Sequence, residues 1–238
     1  MKQRTKKRLW IALGAVVAAV VLLYGALWIY ASDYYRADAT ATAFLSSDAT
    51  LRIDGRLTVL PAATATDTAL VFYPGGKVEA TAYLPILEKI RDRCGITVVL
   101  VRMPFNLAVF DMNAADRVRA AFPEIRHWYV GGHSLGGAMA SAYASKHADS
   151  LDGLILMGAY LYGGYPAADA LTIYGEYNTE VADKVTYTEN VVVLPGGNHA
   201  QFGNYGKQKG DADATISREA QQDAAVEAIA AFLAAREG

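Results

Sequence analysis

The sequence predicts a three-layer α/β domain, a mostly parallel sheet with helices on both faces. Three observations carry this expectation. From Ala69 onward, short apolar runs alternate with amphipathic segments in a βαβα order. The strands so joined are connected through helices that must return to the same sheet, which makes neighbouring strands parallel. The chain of 238 residues, 53% hydrophobic, is also large enough to bury a core on each face of such a sheet.

The N-terminal segment stands apart from this pattern. Lys2, Arg4, Lys6, Lys7 and Arg8 precede an uncharged apolar run from Leu9 to Tyr30. A helix of about 20 apolar residues crosses the roughly 30 Å hydrocarbon core of a bilayer, whereas the apolar part of a cleaved signal peptide runs only about 7 to 15 residues. A basic tail and transmembrane anchor over residues 1–31 is therefore expected, spanning 9–30, with a lipid bilayer as partner. Trp10, Trp28 and Tyr30 lie near its two ends, where interfacial aromatics belong. The positive-inside rule keeps the N-terminus cytoplasmic and sends the rest of the chain outside the cytoplasmic membrane.

Residues 32–68 turn to Ala, Thr, Ser and Asp, which reads as a stalk ending in a hairpin at Leu51 to Leu60 around Asp54-Gly55. The α/β domain then occupies 69–238. Its expected strands are Ala69 to Tyr73, Ile96 to Val101, His127 to Gly131, Gly153 to Met157, Leu171 to Tyr174 and Val191 to Leu194. The helices between and after them are Glu79 to Arg93, Asp111 to Phe122, Leu135 to His147 and Ile216 to Arg236.

Composition narrows the function. A formal charge of −2 with no basic stretch carrying interleaved aromatics argues against nucleic acid as a partner. The single cysteine, Cys94, has no partner for an internal disulfide, and no Cys/His spacing suggests a metal. Neither metal nor cofactor is expected; a small-molecule substrate is.

The chemistry centres on Gly131-Gly132-His133-Ser134-Leu135-Gly136-Gly137, a Gly-x-Ser-x-Gly set between an expected strand and an expected helix. That is the context of a nucleophile elbow, in which flanking glycines permit a sharp turn and the serine hydroxyl projects at a helix N-terminus. A serine needs a base to take its proton, and histidine is the usual one near neutral pH. Of the four histidines, His127 starts its strand at the opposite edge, His133 lies inside the elbow and His147 ends the following helix. His199, between the last strand and the last helix, remains as the candidate base.

With these motifs in place, the run from about Tyr73 to Ser217 resembles the α/β-hydrolase superfamily, in particular its dienelactone-hydrolase-like, fold-5 type serine hydrolases. True dienelactone hydrolases carry a cysteine where Ser134 stands, so no dienelactone substrate is implied. The resemblance implies an ester-bond hydrolase working through an acyl-enzyme on carboxylic esters, lactones or thioesters. The connection from Met157 to Leu171 is short, so little or no cap domain is expected. The chain order serine, acid, histidine puts the acid after the strand Leu171 to Tyr174, where Gly-x-x-Asp is common; here the string is Gly175-Glu176-Tyr177-Asn178-Thr179-Glu180. Asn178 occupies the aspartate position, and either the amide itself or a neighbouring Glu180 or Glu176 serves instead. Pro74-Gly75-Gly76-Lys77 resembles the family's oxyanion loop, making Gly76 and then Lys77 candidate donors beside the amide of Leu135. Arg102 and Asn106, on the loop after the second parallel strand, are candidate substrate contacts, with Glu79 as a polar neighbour. The segment Gln201 to Ser217 is a candidate lid. An alternative reading is a non-catalytic or attenuated binding protein on the same fold, motivated by Asn178.

Overall fold

The structure, a computed structural model, describes residues 2–236. The side chains of Lys2, Arg4 and Thr5 lie outside the described residues, so this part of the basic cluster stands on sequence alone. The chain forms two compact units that meet in sequence between Tyr34 and Tyr35.

The first unit is one helix, α1 (Lys2–Ser32). Its stretch Lys6–Ser32 is long and apolar enough to cross a membrane, and Leu13, Val17, Val21 and Leu22 are exposed on several sides of it. Apolar residues on every face suit a lipid environment better than one-sided packing.

The second unit is built on an eight-stranded sheet in the order β1-β2-β4-β3-β5-β6-β7-β8. β1 (Arg52–Asp54) and β2 (Leu57–Leu60) form an antiparallel hairpin, and β2 joins β4 (Thr97–Val101) antiparallel. The remaining strands, β3 (Thr68–Tyr73), β5 (His127–His133), β6 (Gly153–Met157), β7 (Ala170–Gly175) and β8 (Val191–Leu194), pair parallel with their neighbours, as β4 does with β3. Successive residues of a strand face opposite sides of the sheet, so each strand feeds two cores. Leu70 and Phe72 of β3 point into one, with α3 (Leu84–Cys94) and α7 (Arg218–Ala234), the short α6 (Thr179–Ala182) lying between β7 and β8 in sequence. Ala69, Val71 and Tyr73 point into the other, with α4 (Ala114–Ala121) and α5 (Leu135–Ala144). This is the predicted three-layer architecture, and the predicted strands and helices match it to within a few residues at their ends.

Local chemistry explains the helix limits. Ser217 caps α7 by accepting from the Ala220 amide at 3.1 Å, and Gly95 ends α3 in the left-handed conformation at φ 67°.

The expected stalk is corrected by the packing. Residues 35–68 belong to the folded unit. Tyr35 lies in a parallel bridge with Val78, its amide donating to the Lys77 carbonyl at 2.8 Å. Helix α2 (Ala39–Ser47) follows, capped by Asp38, whose carboxylate also pairs with Arg218 at 2.6 Å. Phe44 is buried in the core beneath it. An Ala, Thr and Ser composition reads as a linker, but a single well-placed aromatic is enough to dock a short helix; a buried Phe contributes about 1.5–3 kcal/mol.

Candidate active site

Four loops leave the C-terminal ends of parallel strands and converge, at the edge where open α/β sheets collect their ligands. Each brings one candidate group.

The loop after β5 carries Ser134, at φ 53° and ψ −124°. Positive φ is uncommon for a residue with a Cβ and costs about 1–3 kcal/mol, a strain that concentrates where geometry serves function. The surrounding glycines show why the turn is held. A Cβ at Gly136 would lie 2.2 Å from the carbonyl oxygens of Tyr73 and Pro74, so only glycine lets α5 begin this close to the end of β3. The Ser134 amide donates to the Met157 carbonyl at 3.0 Å, tying the turn to β6.

The loop after β3 lies against the start of α5. A Cβ at Gly76 would come within 2.8 Å of the Leu135 side chain, so the two candidate oxyanion donors are neighbours. Leu135 is the first residue of α5, and the first amides of a helix lack intrahelical partners. The Lys77 amide, by contrast, is already donated to the Asn106 carbonyl at 2.8 Å. Gly76 is thus the better candidate of the two.

The loop after β8 carries His199, and that after β7 carries Asn178. The amide nitrogen of Asn178 lies 2.7 Å from Nδ1 of His199, and Asn178 is buried. Placed this way, the amide donates to Nδ1 and the ring proton resides on Nε2. Rotating the amide by half a turn presents its oxygen, which accepts Nδ1–H and leaves Nε2 free to take a proton. Neither glutamate takes this place. Glu176 accepts from the Gly196 amide at 2.8 Å and serves the backbone of the β7 and β8 loops. Glu180 borders the same cavities as Ser134 and His199, and its charge acts on the imidazole through space.

Sequence reasoning placed Asp211 only within a lid and missed its role at the base. Its carboxylate accepts from the amides of His199 at 3.2 Å and Ala200 at 2.7 Å. Burial pushes the His199 imidazole below its ordinary value of 6.5, and Asp211 first and Glu180 second pull it back up. The ring is therefore neutral near pH 7. A carboxylate twelve residues after the histidine, in a segment without regular structure, gives little sequence signal because the bonds it makes are to backbone.

His133 and Tyr83 were not anticipated as a unit either. The Gly75 amide donates to the Tyr83 hydroxyl at 3.0 Å. That hydroxyl donates to Nδ1 of His133 at 2.8 Å, and Nε2–H of His133 donates to the His199 carbonyl at 3.0 Å. Only one tautomer of His133 satisfies both contacts. Burial, reinforced by the neighbouring His199, holds its imidazole well below 6.5, which keeps it neutral. The chain of bonds links the oxyanion loop to the backbone of His199.

The other histidines lie elsewhere. His127 contacts Asp152 at 3.0 Å on the N-terminal side of the sheet, and His147 stacks on Tyr143 beyond α5. Arg102 and Asn106 are corrected as substrate contacts. The Arg102 guanidinium donates to the Gly55 carbonyl at 3.1 Å in the hairpin turn. Asn106 supplies its carbonyl to Lys77, and neither residue borders the cavities at Ser134. Glu79 accepts from the Ala37 amide at 3.0 Å, holding the segment before α2. The loop between β6 and β7 holds only a short turn of 3₁₀ helix, Ala167–Asp169, so no cap covers the site. Among the described residues no cluster of His, Cys, Asp and Glu is arranged to hold a metal ion.

Comparison with known proteins agrees with this architecture. Solved structures similar to the chain include a hormone-sensitive lipase from a metagenome library, with a TM-score of 0.54 at 12% identity, covering 89% of this chain and 91% of that one. A dienelactone hydrolase from Anabaena variabilis gives 0.50 at 14% identity, covering 75% and 90%. A membrane phospholipase A described as a bacterial virulence factor gives 0.52 at 12% identity, covering 98% and 99%. At these identities the likeness speaks for the fold. No curated protein matches the sequence. Residues 69–223 match the model of the alpha/beta hydrolase family, and the chain is a hydrolase belonging to that family.

Proposed function

We propose that the chain is a serine hydrolase of carboxylic esters, or of the related lactones and thioesters, held at a membrane by α1. The observation that carries this reading is the elbow: Ser134 at positive φ on a strand-to-helix turn, with Leu135 and Gly76 packed beside it. In the proposed reaction Ser134 Oγ attacks the substrate carbonyl while its proton passes to Nε2 of His199. Negative charge on the carbonyl oxygen is met by the amides of Leu135 and Gly76. The leaving group departs with the proton from His199, and water attacks the acyl-enzyme by the reverse sequence. Asn178 Oδ1 fixes the ring by accepting from Nδ1–H, and Asp211 holds the His199 backbone in register.

The basic residues at the start of α1 favour an N-terminus on the cytoplasmic side and a folded unit on the outer side. The domain limits we infer are an anchor before Tyr35 and one hydrolase unit after it.

A second reading, a catalytically attenuated hydrolase that binds more than it turns over, is favoured by one observation: the group against Nδ1 of His199 is a neutral amide. An active-site-directed fluorophosphonate tests the first reading. The intact protein is expected to gain one adduct, localised to Ser134 by mass spectrometry and lost in Ser134→Ala. Equal labelling of both forms, or none of either, contradicts it.

A further inference from the structure

Two cavities meet at Ser134, Asn178, Glu180 and His199, and they differ in size and in chemistry. The larger, about 560 Å³, is walled by Leu135, Ala138, Gly158, Ala159 and Val181, with Asp183 and Lys184 at its border beside the shared Glu180, so the two cavities differ in apolar wall and not in charge balance. The smaller, about 350 Å³, is walled by Tyr177, Thr179, Gln208, Lys209 and Asp211. An apolar wall rewards burial of hydrocarbon, while a polar wall does so only for a group that returns its hydrogen bonds.

The reaction decides which half of an ester enters which cavity. The leaving oxygen takes its proton from His199, and Asp211, whose carboxylate accepts from the His199 amide, borders the smaller cavity only, which assigns the alcohol to that side. The acyl group belongs beside the amide that receives the carbonyl oxygen. Leu135 and Ala138, on the first turn of α5, line the larger cavity only. The smaller cavity has two carboxylates, Glu180 and Asp211, against one ammonium, Lys209. That balance repels an anionic alcohol and suits hydroxyl groups, which donate to carboxylates and accept from an ammonium.

We infer that the substrate is an ester between a medium-length hydrocarbon acyl group, seated in the larger cavity, and an uncharged alcohol bearing several hydroxyls, seated in the smaller one. This rests on the serine hydrolase reading and specifies its substrate class. Atoms balance with water alone: the ester C–O bond breaks, the polyol leaves with the proton first taken from Ser134, and water releases the carboxylic acid.

The test uses the full chain in detergent and two substrate series. Across p-nitrophenyl acetate, butyrate, hexanoate and octanoate, kcat/KM should rise about fourfold per methylene until the cavity is filled, the fold-change equivalent to about 0.8 kcal/mol. Ala138→Leu, which intrudes on the larger cavity, should reduce the hexanoate-to-acetate ratio at least tenfold. With the acyl group fixed as hexanoyl, the glycerol monoester should exceed the methyl ester at least tenfold, and the glycerophosphate ester should fall below both. A flat acyl profile, an unchanged ratio in Ala138→Leu, or a preference for the methyl or phosphate ester overturns the assignment. The two failures are distinguishable: p-nitrophenyl acetate turned over and Ser134 labelled, but with the wrong preferences, sinks only the substrate class, whereas no labelling and no turnover of any ester sinks the hydrolase reading with it.

Discussion

The two sides of the site are built differently. On the nucleophile side every feature is imposed by backbone: positive φ at Ser134, a gap at Gly136 that no Cβ fits, and a helix N-terminus at Leu135. On the side of the proposed base the features are side chains outside the sheet: Asn178 against the ring, Glu180 at a distance on the short helix that follows, and Asp211 on a loop, bonded to the amides of His199 and Ala200. Backbone-imposed geometry tolerates few substitutions without loss of the fold, whereas a loop carboxylate can be exchanged or relocated while the sheet stays intact. A complete elbow beside a neutral amide is a natural outcome of that difference.

Three perturbations probe this contrast, in descending size. Removing the proposed nucleophile should have the largest effect: Ser134→Ala is expected to lower kcat on p-nitrophenyl butyrate by about 10² or more, what remains of the roughly 10⁶ a complete triad contributes once a neutral amide has cost up to about 10⁴, with an unchanged circular dichroism spectrum. A loss under tenfold would place the chemistry at another residue.

On the base side, Asp211→Asn removes a negative charge that raises the His199 imidazole. In the proposed mechanism the neutral ring is the base, so the acid limb of the kcat/KM profile, expected below pH 6.5, should move to lower pH. The plateau should fall several-fold as the His199 backbone loses its charged acceptor. An acid limb that stays in place would mean that Asp211 has no influence on the ring.

The smallest effect concerns stability. His133 is buried with its folded-state value well below the ordinary 6.5, so below pH 6.5 the unfolded chain binds a proton that the native chain does not. Stability is therefore fully present above pH 6.5 and falls as pH drops toward the folded-state value. The melting temperature should fall by several degrees between pH 7 and pH 5, and His133→Asn should flatten that slope while lowering stability at pH 7. An equal slope in both proteins would assign the acid sensitivity to other groups.

The sequence made the nucleophile side legible because its requirements are covalent. Glycines two residues either side of Ser134, followed by a small-residue helix, are read directly, and so are strands such as Val98 to Val101 that are buried on both faces. What escaped depends on contacts between distant segments. Phe44 turned an expected stalk into a docked helix, and Asp211 reaches the His199 amides from a loop without periodicity. Tyr83 and His133 form a relay across fifty residues of chain. Arg102 lay on the right loop but faces the hairpin, since the direction of a long side chain is set by its tertiary surroundings.

In the proposed mechanism Asn178 is the residue that orients His199. The most direct measurement is kcat/KM on one ester for the native protein, Asn178→Asp, Glu180→Gln and the double variant, analysed as a cycle. Asn178→Asp is expected to raise the rate, by up to about 10⁴ if a neutral amide here costs what it does in other serine triads. Glu180→Gln is expected to change it by no more than several-fold in either background. A loss in Glu180→Gln as large as that in Ser134→Ala, with no gain in Asn178→Asp, would show that Glu180 is the acid and that the contact between Asn178 and His199 is not the working arrangement.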